Sequence, residues 1–215
     1  MEMLCSQYWL DWLSEQNLSI ALTTYQTNRL FLIGLKPDGT LSTFERLFER
    51  PMGLYATEDS LFMATRYQIW QIDNLLPSEQ RHQQNYDRLY TPTIGYTTGD
   101  LNTHELALDS YGEIVFVNTK YSCLAKLKRK FSFEPIWQPS FISEISAEDR
   151  CHLNGMAMVD GQPKYVTCSS RSDVTAGWRL RREGGGVVVD VASKEIVGAG
   201  LSMQGYFILD GKIIC

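Results

Sequence analysis

No apolar run in this chain approaches the roughly 20 residues that a membrane-spanning helix requires. Runs such as Ile114 to Val117 and Val187 to Val189 are far shorter. Nor is there a surplus of positive charge: 20 Lys and Arg stand against 25 Asp and Glu, a formal net charge of −5. A protein that grips phosphate backbones carries the opposite balance, so nucleic acid is not an expected partner, and neither is a membrane. The one dense basic run, Lys126, Lys128, Arg129 and Lys130, reads as a solvated strand exit. The five cysteines include no C-x-x-C pair, which argues for reduced thiols. The first 16 residues carry Glu2, Asp11 and Glu15 and lack both a basic n-region and an apolar h-region, so a cytoplasmic location is expected. At 44% hydrophobic and only 21% charged, the chain also lacks the profile of a disordered segment.

What the sequence does contain is a repeat. A strand-turn-strand phrase begins Met52-Gly53-Leu54-Tyr55-Ala56, turns at Glu58-Asp59-Ser60 and resumes at Leu61-Phe62-Met63-Ala64. It returns as His104 to Leu108 with Ile114 to Val117, as Asn154 to Met158 with Lys164 to Thr167, and as Gln204 to Leu209 with Ile213 to Cys215. The aligned positions 53, 105, 155 and 205 are separated by 52, 50 and 50 residues, the length of a four-stranded propeller blade with its loops. A looser copy is Ser19 to Thr24 with Arg29 to Gly34. Further strands are expected at Gln68 to Ile72, Cys123 to Leu127, Gly186 to Val191 and Glu195 to Ala199, whereas Pro77 to Arg88 reads as a loop. Leu4, Tyr8, Leu10, Trp12 and Leu13 give the only helix-like stripe. The fold class expected is therefore all-β: a propeller-like array of about four blades, with residues 1–17 forming a short helical segment and 18–215 a single repeat domain. Because the last phrase stops as its second strand begins, the array is expected to be incomplete or open at the C-terminus, with a sheet edge available for self-association.

The words Thr23-Thr24-Tyr25-Gln26, Arg50-Pro51-Met52-Gly53-Leu54 and Ala64-Thr65-Arg66-Tyr67-Gln68-Ile69-Trp70 belong to a longer pattern. It continues through Gly99-Asp100, Phe116-Val117-Asn118-Thr119-Lys120-Tyr121-Ser122-Cys123, Glu148-Asp149-Arg150-Cys151-His152-Leu153-Asn154-Gly155, Gly177-Trp178-Arg179 and Gly200-Leu201-Ser202-Met203. This pattern resembles a bacterial family of conserved hypothetical proteins, a domain of unknown function with propeller-like repeats, over roughly residues 18–203. The resemblance implies that the pattern continues beyond Met203 with a Pro-His-Ser-Pro-Arg-like segment, where this chain has Gln204-Gly205-Tyr206-Phe207. A C-terminally truncated copy is one expectation that follows.

In a propeller the start of each first strand faces the axis, so Pro51-Met52, Asn102-Thr103-His104-Glu105, His152-Leu153-Asn154 and Met203-Gln204 are expected at one mouth. His104, Glu105, Asn118, Arg150, His152, Asn154 and Arg179 form the expected ligand-binding set, with His104 and Glu105 the candidates for catalysis. Oxygens of Glu105, Asn102 and Asn154 suit calcium, and the nitrogens of His104 and His152 suit zinc, which makes a divalent metal a candidate cofactor. The His104-Glu105 and Asn154-Gly155 turns also look like channel turns of gluconolactonase-type propellers, which implies a metal held by Glu, Asn and Asp. The competing reading is that His104 and His152 are structural groups that hydrogen-bond across a buried channel. Cys151 and His152 are neighbours on a strand and point apart, which argues against a thiol nucleophile. Arg150 and Arg179 could fork onto carboxylates or phosphates, or else brace loops and stack on Trp178. Gly184-Gly185-Gly186 precedes a strand and reads as a turn, and Trp137, between Pro135 and Pro139, as a residue that packs a loop onto a blade. Two functions are open: a binding or scaffold protein that holds a small polar ligand or a protein, and a metal-dependent lactonase or hydrolase; a nonfunctional copy is the third.

Overall fold

The computed structural model describes residues 4–202 and the backbone of 207–209 and 212–214. Helix α1, Gln7–Gln16, starts where the Ser6 hydroxyl accepts from the Trp9 amide and ends at Asn17 in the left-handed conformation. Strands follow without a further α-helix among the described residues. The first sheet is β1 (Ile20–Thr24), β2 (Arg29–Leu35) and β3 (Leu41–Leu47). The second is β4 (Leu54–Ala56), β5 (Ser60–Ala64), β6 (Gln68–Asn74) and β7 (Tyr90–Thr97), and the third β8 (Thr103–Leu108), β9 (Ile114–Asn118), β10 (Cys123–Lys128) and β11 (Ser132–Trp137). The fourth is β12 (Leu153–Val159), β13 (Gln162–Cys168), β14 (Gly186–Asp190) and β15 (Ile196–Leu201), and β16 (Phe207–Leu209) pairs with β17 (Lys212–Ile214). Within each sheet the strands pair in chain order, the up-and-down meander of a propeller blade. The all-β, propeller-like class read from the 50-residue spacing is what the chain adopts. The channel position assigned to Met203-Gln204 and the Asp210-Gly211 turn lie outside the described residues.

The chain parts into two compact units, Met1–Thr65 with Trp70–Gly95 and Arg66–Ile69 with Tyr96–Cys215. The first is built on Leu30, Leu61, Met63 and Ile72, with Trp70, Phe48 and Tyr90 packed against them. The second is built on the inner strands of its two four-stranded sheets, where β9 and β14 are buried at every position. Such strands, apolar on both faces, are what sheets covered on both sides require.

Turn chemistry fixes the hairpins. Asp109 Oδ1 accepts from the amides of Tyr111 and Glu113 at 2.8 and 2.9 Å, closing the β8–β9 turn. Asp160 and Gly161 both have positive φ, 50° and 69°, which is the two-residue turn that matches strand twist. Gly161 also passes so close to Ser110 that a Cβ there would sit 2.7 Å from the Ser110 nitrogen, and its carbonyl accepts the Ser110 amide at 2.9 Å. The two hairpin tips of the second unit are thus joined.

Three outer strands, β3, β7 and β11, escaped the sequence pattern. Their side chains are largely exposed and carry no clean alternation, and β11 holds Pro135, which a strand tolerates at an edge. Trp137 accordingly ends strand β11 rather than sitting in a loop, and its indole N–H donates to the Val191 carbonyl at 2.8 Å. In the basic run following Cys123, Lys126 meets Asp109 and Glu113, and Lys128 meets Glu134.

Phe116 is fully buried at the centre of β9. Phe116→Ala is expected to cost about 3–5 kcal/mol through lost transfer energy and the cavity left behind. Urea unfolding at unchanged m-value reads this, and a loss under about 1 kcal/mol would show that β9 is not the centre of the core.

Candidate functional site

The residue three places before aligned positions 53, 105 and 155 adopts a left-handed backbone: Arg50 (φ 49°), Asn102 (54°) and His152 (51°). None is glycine, so each pays a conformational cost that its surroundings must hold in place. After it, in both blades of the second unit, the strand register slips by a bulge, between Thr103 and Leu106 in β8 and between Leu153 and Met156 in β12. Bulges re-aim side chains. Those re-aimed here are His104 and Glu105 in one blade and Asn154 in the other.

The two imidazoles come together edge to face, ring centroids 4.8 Å apart and planes at 80°. Each is anchored through Nδ1. His152 Nδ1 lies 3.0 Å from both oxygens of Asp149, so it carries the proton and donates to the carboxylate. His104 Nδ1 lies 2.8 Å from the Asn102 carbonyl and 2.8 Å from Thr119 Oγ1. The single Thr119 hydroxyl proton goes to the Leu153 carbonyl at 2.6 Å, so the ring must be the donor toward Thr119 as well. Both neutral rings therefore hold their proton on Nδ1, which makes Nε2 the acceptor nitrogen of each.

Trp178 completes the cluster. It stacks on His152 with centroids 4.1 Å apart and donates its indole N–H to Asp149 Oδ2 at 3.0 Å. It is delivered by a short 3-10 helix, Gly177–Arg181, and is buried. In the same unit Asn118 Nδ2 and the hydroxyls of Ser122, Ser169 and Ser170 are buried and have no protein partner. Ser169 and Ser170 are tied to the same segment, their amides donating to the His152 and Cys151 carbonyls. Unpaired buried groups are unusual, since such groups are nearly always satisfied.

Of the expected site residues, His104, Glu105 and His152 lie in or beside this cluster, with Asn154 two residues beyond His152 on β12. Arg150 does not serve as an open fork. Its guanidinium is spent on Glu144, Glu148 and Asp173 at 2.6, 2.7 and 3.0 Å, with Ser143 as a further partner, and it braces the loop that carries Asp149 and His152. Asn118 holds the β9–β10 turn, its Oδ1 accepting from the Tyr121 amide at 3.2 Å. Arg179 stacks on Trp178 at 4.7 Å. Asp149, Thr119 and Trp178 were not singled out as site residues in the sequence, because their roles depend on backbone turns between blades. Cys151 is fully buried with Cys123 and Cys168, away from the part of a nucleophile. Burial pushes the Cys123 thiol up to about 12, and a hydrogen bond to Cys151 raises that of Cys168. Gly184-Gly185-Gly186 is a turn leading into β14. Among the described residues no three of His, Cys, Asp and Glu converge as metal ligands.

The family described as "Domain of unknown function (DUF4915)" matches residues 7–204. The chain belongs to this family. No curated protein matches this DUF4915 chain. Among solved structures, virginiamycin B lyase from Staphylococcus aureus is similar at 11% identity and TM-score 0.45, over 84% of this chain and 51% of its own. A Bacteroides uniformis protein assigned provisionally as a 6-phosphogluconolactonase is similar at 13% identity and TM-score 0.46, over 89% and 58%. AztD from Citrobacter koseri is similar at 13% identity and TM-score 0.36, over 91% and 52%. The DUF4915 chain thus spans between half and three-fifths of these proteins' lengths.

The first unit carries a surface cavity of about 470 Å³, lined by Glu58, Asp59, Asn74 and the 76–81 and 87–88 segments. Its walls are mostly exposed side chains of turns, and none of the expected site residues borders it. The imidazole cluster, with its fixed tautomers and buried polar atoms, is the better-built site.

Glu105 and Arg150 give the DUF4915 domain opposite responses to pH. Burial lifts the Glu105 carboxyl to about 7, above the roughly 4.3 of an unfolded chain. The folded state keeps a proton that the unfolded state releases, so stability falls as pH rises from about 4 to 7. Glu105→Gln removes that slope, and urea midpoints at stepped pH are expected to show the variant gaining on wild type between pH 4 and 8; parallel curves would place Glu105 in water. The Arg150 guanidinium beside Glu148, and hydrogen bonds from Ser143 to Asp173, hold both carboxyls below their usual range. That stabilisation is present above about pH 4 and lost as pH falls through the lowered values. Arg150→Met is expected to lower the melting midpoint at pH 7, with the gap to wild type closing below pH 4; a gap independent of pH would mean the loop is braced by packing instead.

Proposed function

We propose that the His104–His152 cluster binds a small polar ligand and that this is the domain's function. The observation that carries the reading is the imidazole pair itself, two half-buried rings held by Nδ1 donors so that both Nε2 atoms keep one chemical state. A purely structural histidine needs one partner and no particular tautomer; here two are oriented by four acceptors, Asp149 through both oxygens, Asn102 and Thr119. Ser169 and Ser170, whose amides bond the His152 and Cys151 carbonyls, add buried hydroxyls without a partner. Asn154 and Glu105, aimed by the two bulges, supply an amide and a carboxyl that is half protonated near pH 7.

A second reading is a metal-dependent hydrolase of lactonase type. What favours it is that metal-bound histidines donate their other ring N–H to a carboxylate or a carbonyl, the arrangement that Asp149 and Asn102 make. His104, Glu105 and Asn154 would then hold calcium or zinc, and the ion would polarise a carbonyl. The donor set stops short of three charged or imidazole ligands among the described residues, so the binding reading is preferred.

Ring nitrogen resonances test both. With the full chain labelled at histidine nitrogen and assigned through His82→Gln, His104→Gln and His152→Gln, inorganic phosphate, acetate and glucose are added in turn. Saturable shifts of the His104 and His152 rings by at least one probe are expected, with both rings starting as Nδ1–H tautomers at pH 8. No saturable response to any of the three overturns the binding reading. Stoichiometric zinc or calcium in the purified protein, lost in His104→Ala, would turn the choice to the hydrolase.

A further inference from the structure

We infer that the edge of β1 turned away from β2 is a docking surface for the first strand of a blade, Gln204–Leu209, supplied by a second copy of this chain. The first sheet is a blade that lacks its first strand. β1 and β9 are both five residues long, and the turns after them, 25–28 and 119–122, both end left-handed, at Asn28 (φ 58°) and Ser122 (φ 54°). Near the end of β1 the Thr23 hydroxyl donates to the Met52 carbonyl at 2.7 Å, just before β4, as Thr119 after β9 donates to Leu153 at the start of β12. Phe48, the residue after β3, donates its amide to Asn28 in the β1–β2 turn, and Thr98, the residue after β7, donates to Tyr67 in the β5–β6 turn. β1, β2 and β3 therefore stand where β5, β6 and β7 stand, as second, third and fourth strands. Among the described residues the element before β1 is helix α1, and β1 pairs with β2 alone.

The open edge is apolar and unguarded. β9 is buried at every position and β5 at four of five, whereas no residue of β1 is buried and Leu22 is 36% exposed. Exposed strand edges are normally blunted by charge, proline or a bulge. The outer strands show these devices: Glu45 and Arg46 in β3, Pro92 in β7, Glu134 and Pro135 in β11, and two register shifts between β14 and β15. β1, Ile20-Ala21-Leu22-Thr23-Thr24, has no charge, no proline and an unbroken register with β2. Such an edge offers main-chain hydrogen bonds to an incoming strand, and the side-chain pattern selects which strand fits.

The order of the chain names the occupant. After each fourth strand comes a first strand: β4 after β3, β8 after β7 and β12 after β11. The described side chains stop at Ser202, just past β15, and there the phrase from Gln204-Gly205 to Leu209 repeats those that begin Met52-Gly53 and Asn154-Gly155. Its β16 pairs with the three-residue β17 and, among the described residues, with no other strand, so β1 and β16 of one chain are not partners. A lone two-stranded hairpin is marginal in water. β1, longer and backed by β2 and β3, is the stronger partner for β16. Two copies that exchange this strand satisfy both edges at once, in a closed two-fold arrangement.

Mass by light scattering and backbone amide exchange on the full chain test this. The wild-type chain is expected to be a dimer that dissociates on dilution, with the Ile20–Thr24 amides exchanging at least about tenfold more slowly in the dimer. Leu22→Lys, which guards the β1 edge with charge, and Ile208→Pro, which breaks the incoming strand, are each expected to give monomers. An equal mixture of the two variants keeps one sound β1 edge and one sound β16, and is expected to regain a dimer. Circular dichroism melts check folding, and Ala21→Lys takes the place of Leu22→Lys if that variant unfolds. A wild-type monomer overturns the inference; if its Ile20–Thr24 protection is then lost in Ile208→Pro, the segment docks on its own copy. A dimer untouched by the variants places the contact elsewhere, and a mixture that stays monomeric rules out exchange, so either result also overturns it.

Discussion

One hydroxyl holds the site together. Thr119 Oγ1 donates to the Leu153 carbonyl at the start of β12 and accepts from His104 Nδ1 at the start of β8. A single buried side chain on the β9–β10 turn therefore sets the register between the third and fourth sheets and, in the same act, the tautomer of an imidazole. The dependence runs one way: since the proton is committed to Leu153, the ring has no choice of state. Replacing the hydroxyl with a methyl would leave the Leu153 carbonyl unmatched in a buried place, which costs more than the bond itself contributes, and would leave the His104 ring to Asn102 alone.

The second imidazole is placed by different means. Asp149 and His152 both have left-handed backbones, φ 48° and 51°, in a loop with no glycine between them. Such a segment would relax unless held, and Arg150 between them holds it, tied to Glu144, Glu148 and Asp173. The Asp149 amide is further fixed to the Lys120 carbonyl, next to Thr119. The arginine thus acts on the site without entering it: it keeps strained backbone in place so that Asp149 can face both His152 and Trp178. Strain stored beside a cluster of oriented bases, and offset by a charged clamp, is the arrangement expected where geometry matters more than stability.

How much of this could be read from residues alone follows from what each feature depends on. The hairpins were legible because their signals are local: Asp-Gly turns, β-branched runs and a spacing that returns every 50 residues or so. The pairing of His104 with His152 was legible as well, since both stand at the start of a blade's first strand. Outer strands β3, β7 and β11 were not, because a strand at an edge has little apolar pattern to betray it. Asp149, Thr119 and Trp178 were hidden for another reason. Each acts through contacts between blades or across a turn with unusual φ, and nothing in a lone Asp, Thr or Trp announces such a partner. Arg150 looked like a ligand fork in the sequence because a guanidinium bound to carboxylates of its own loop has the same one-letter code as one waiting for a substrate.

Glu105 shows where repetition itself is informative. The aligned positions 53 and 155 are glycine, and position 105 alone among the described blades carries a side chain there. In β12 the Gly155 amide donates to Thr167 Oγ1 at 2.9 Å inside the bulge. The same bulge in β8 must instead house a carboxyl, and the burial that follows is what lifts it to about 7. A repeat that only had to pack would keep glycine and avoid a destabilising acid. The departure therefore falls on the blade that also supplies His104, and it places a group able to give or take a proton near neutral pH next to an imidazole whose tautomer is fixed.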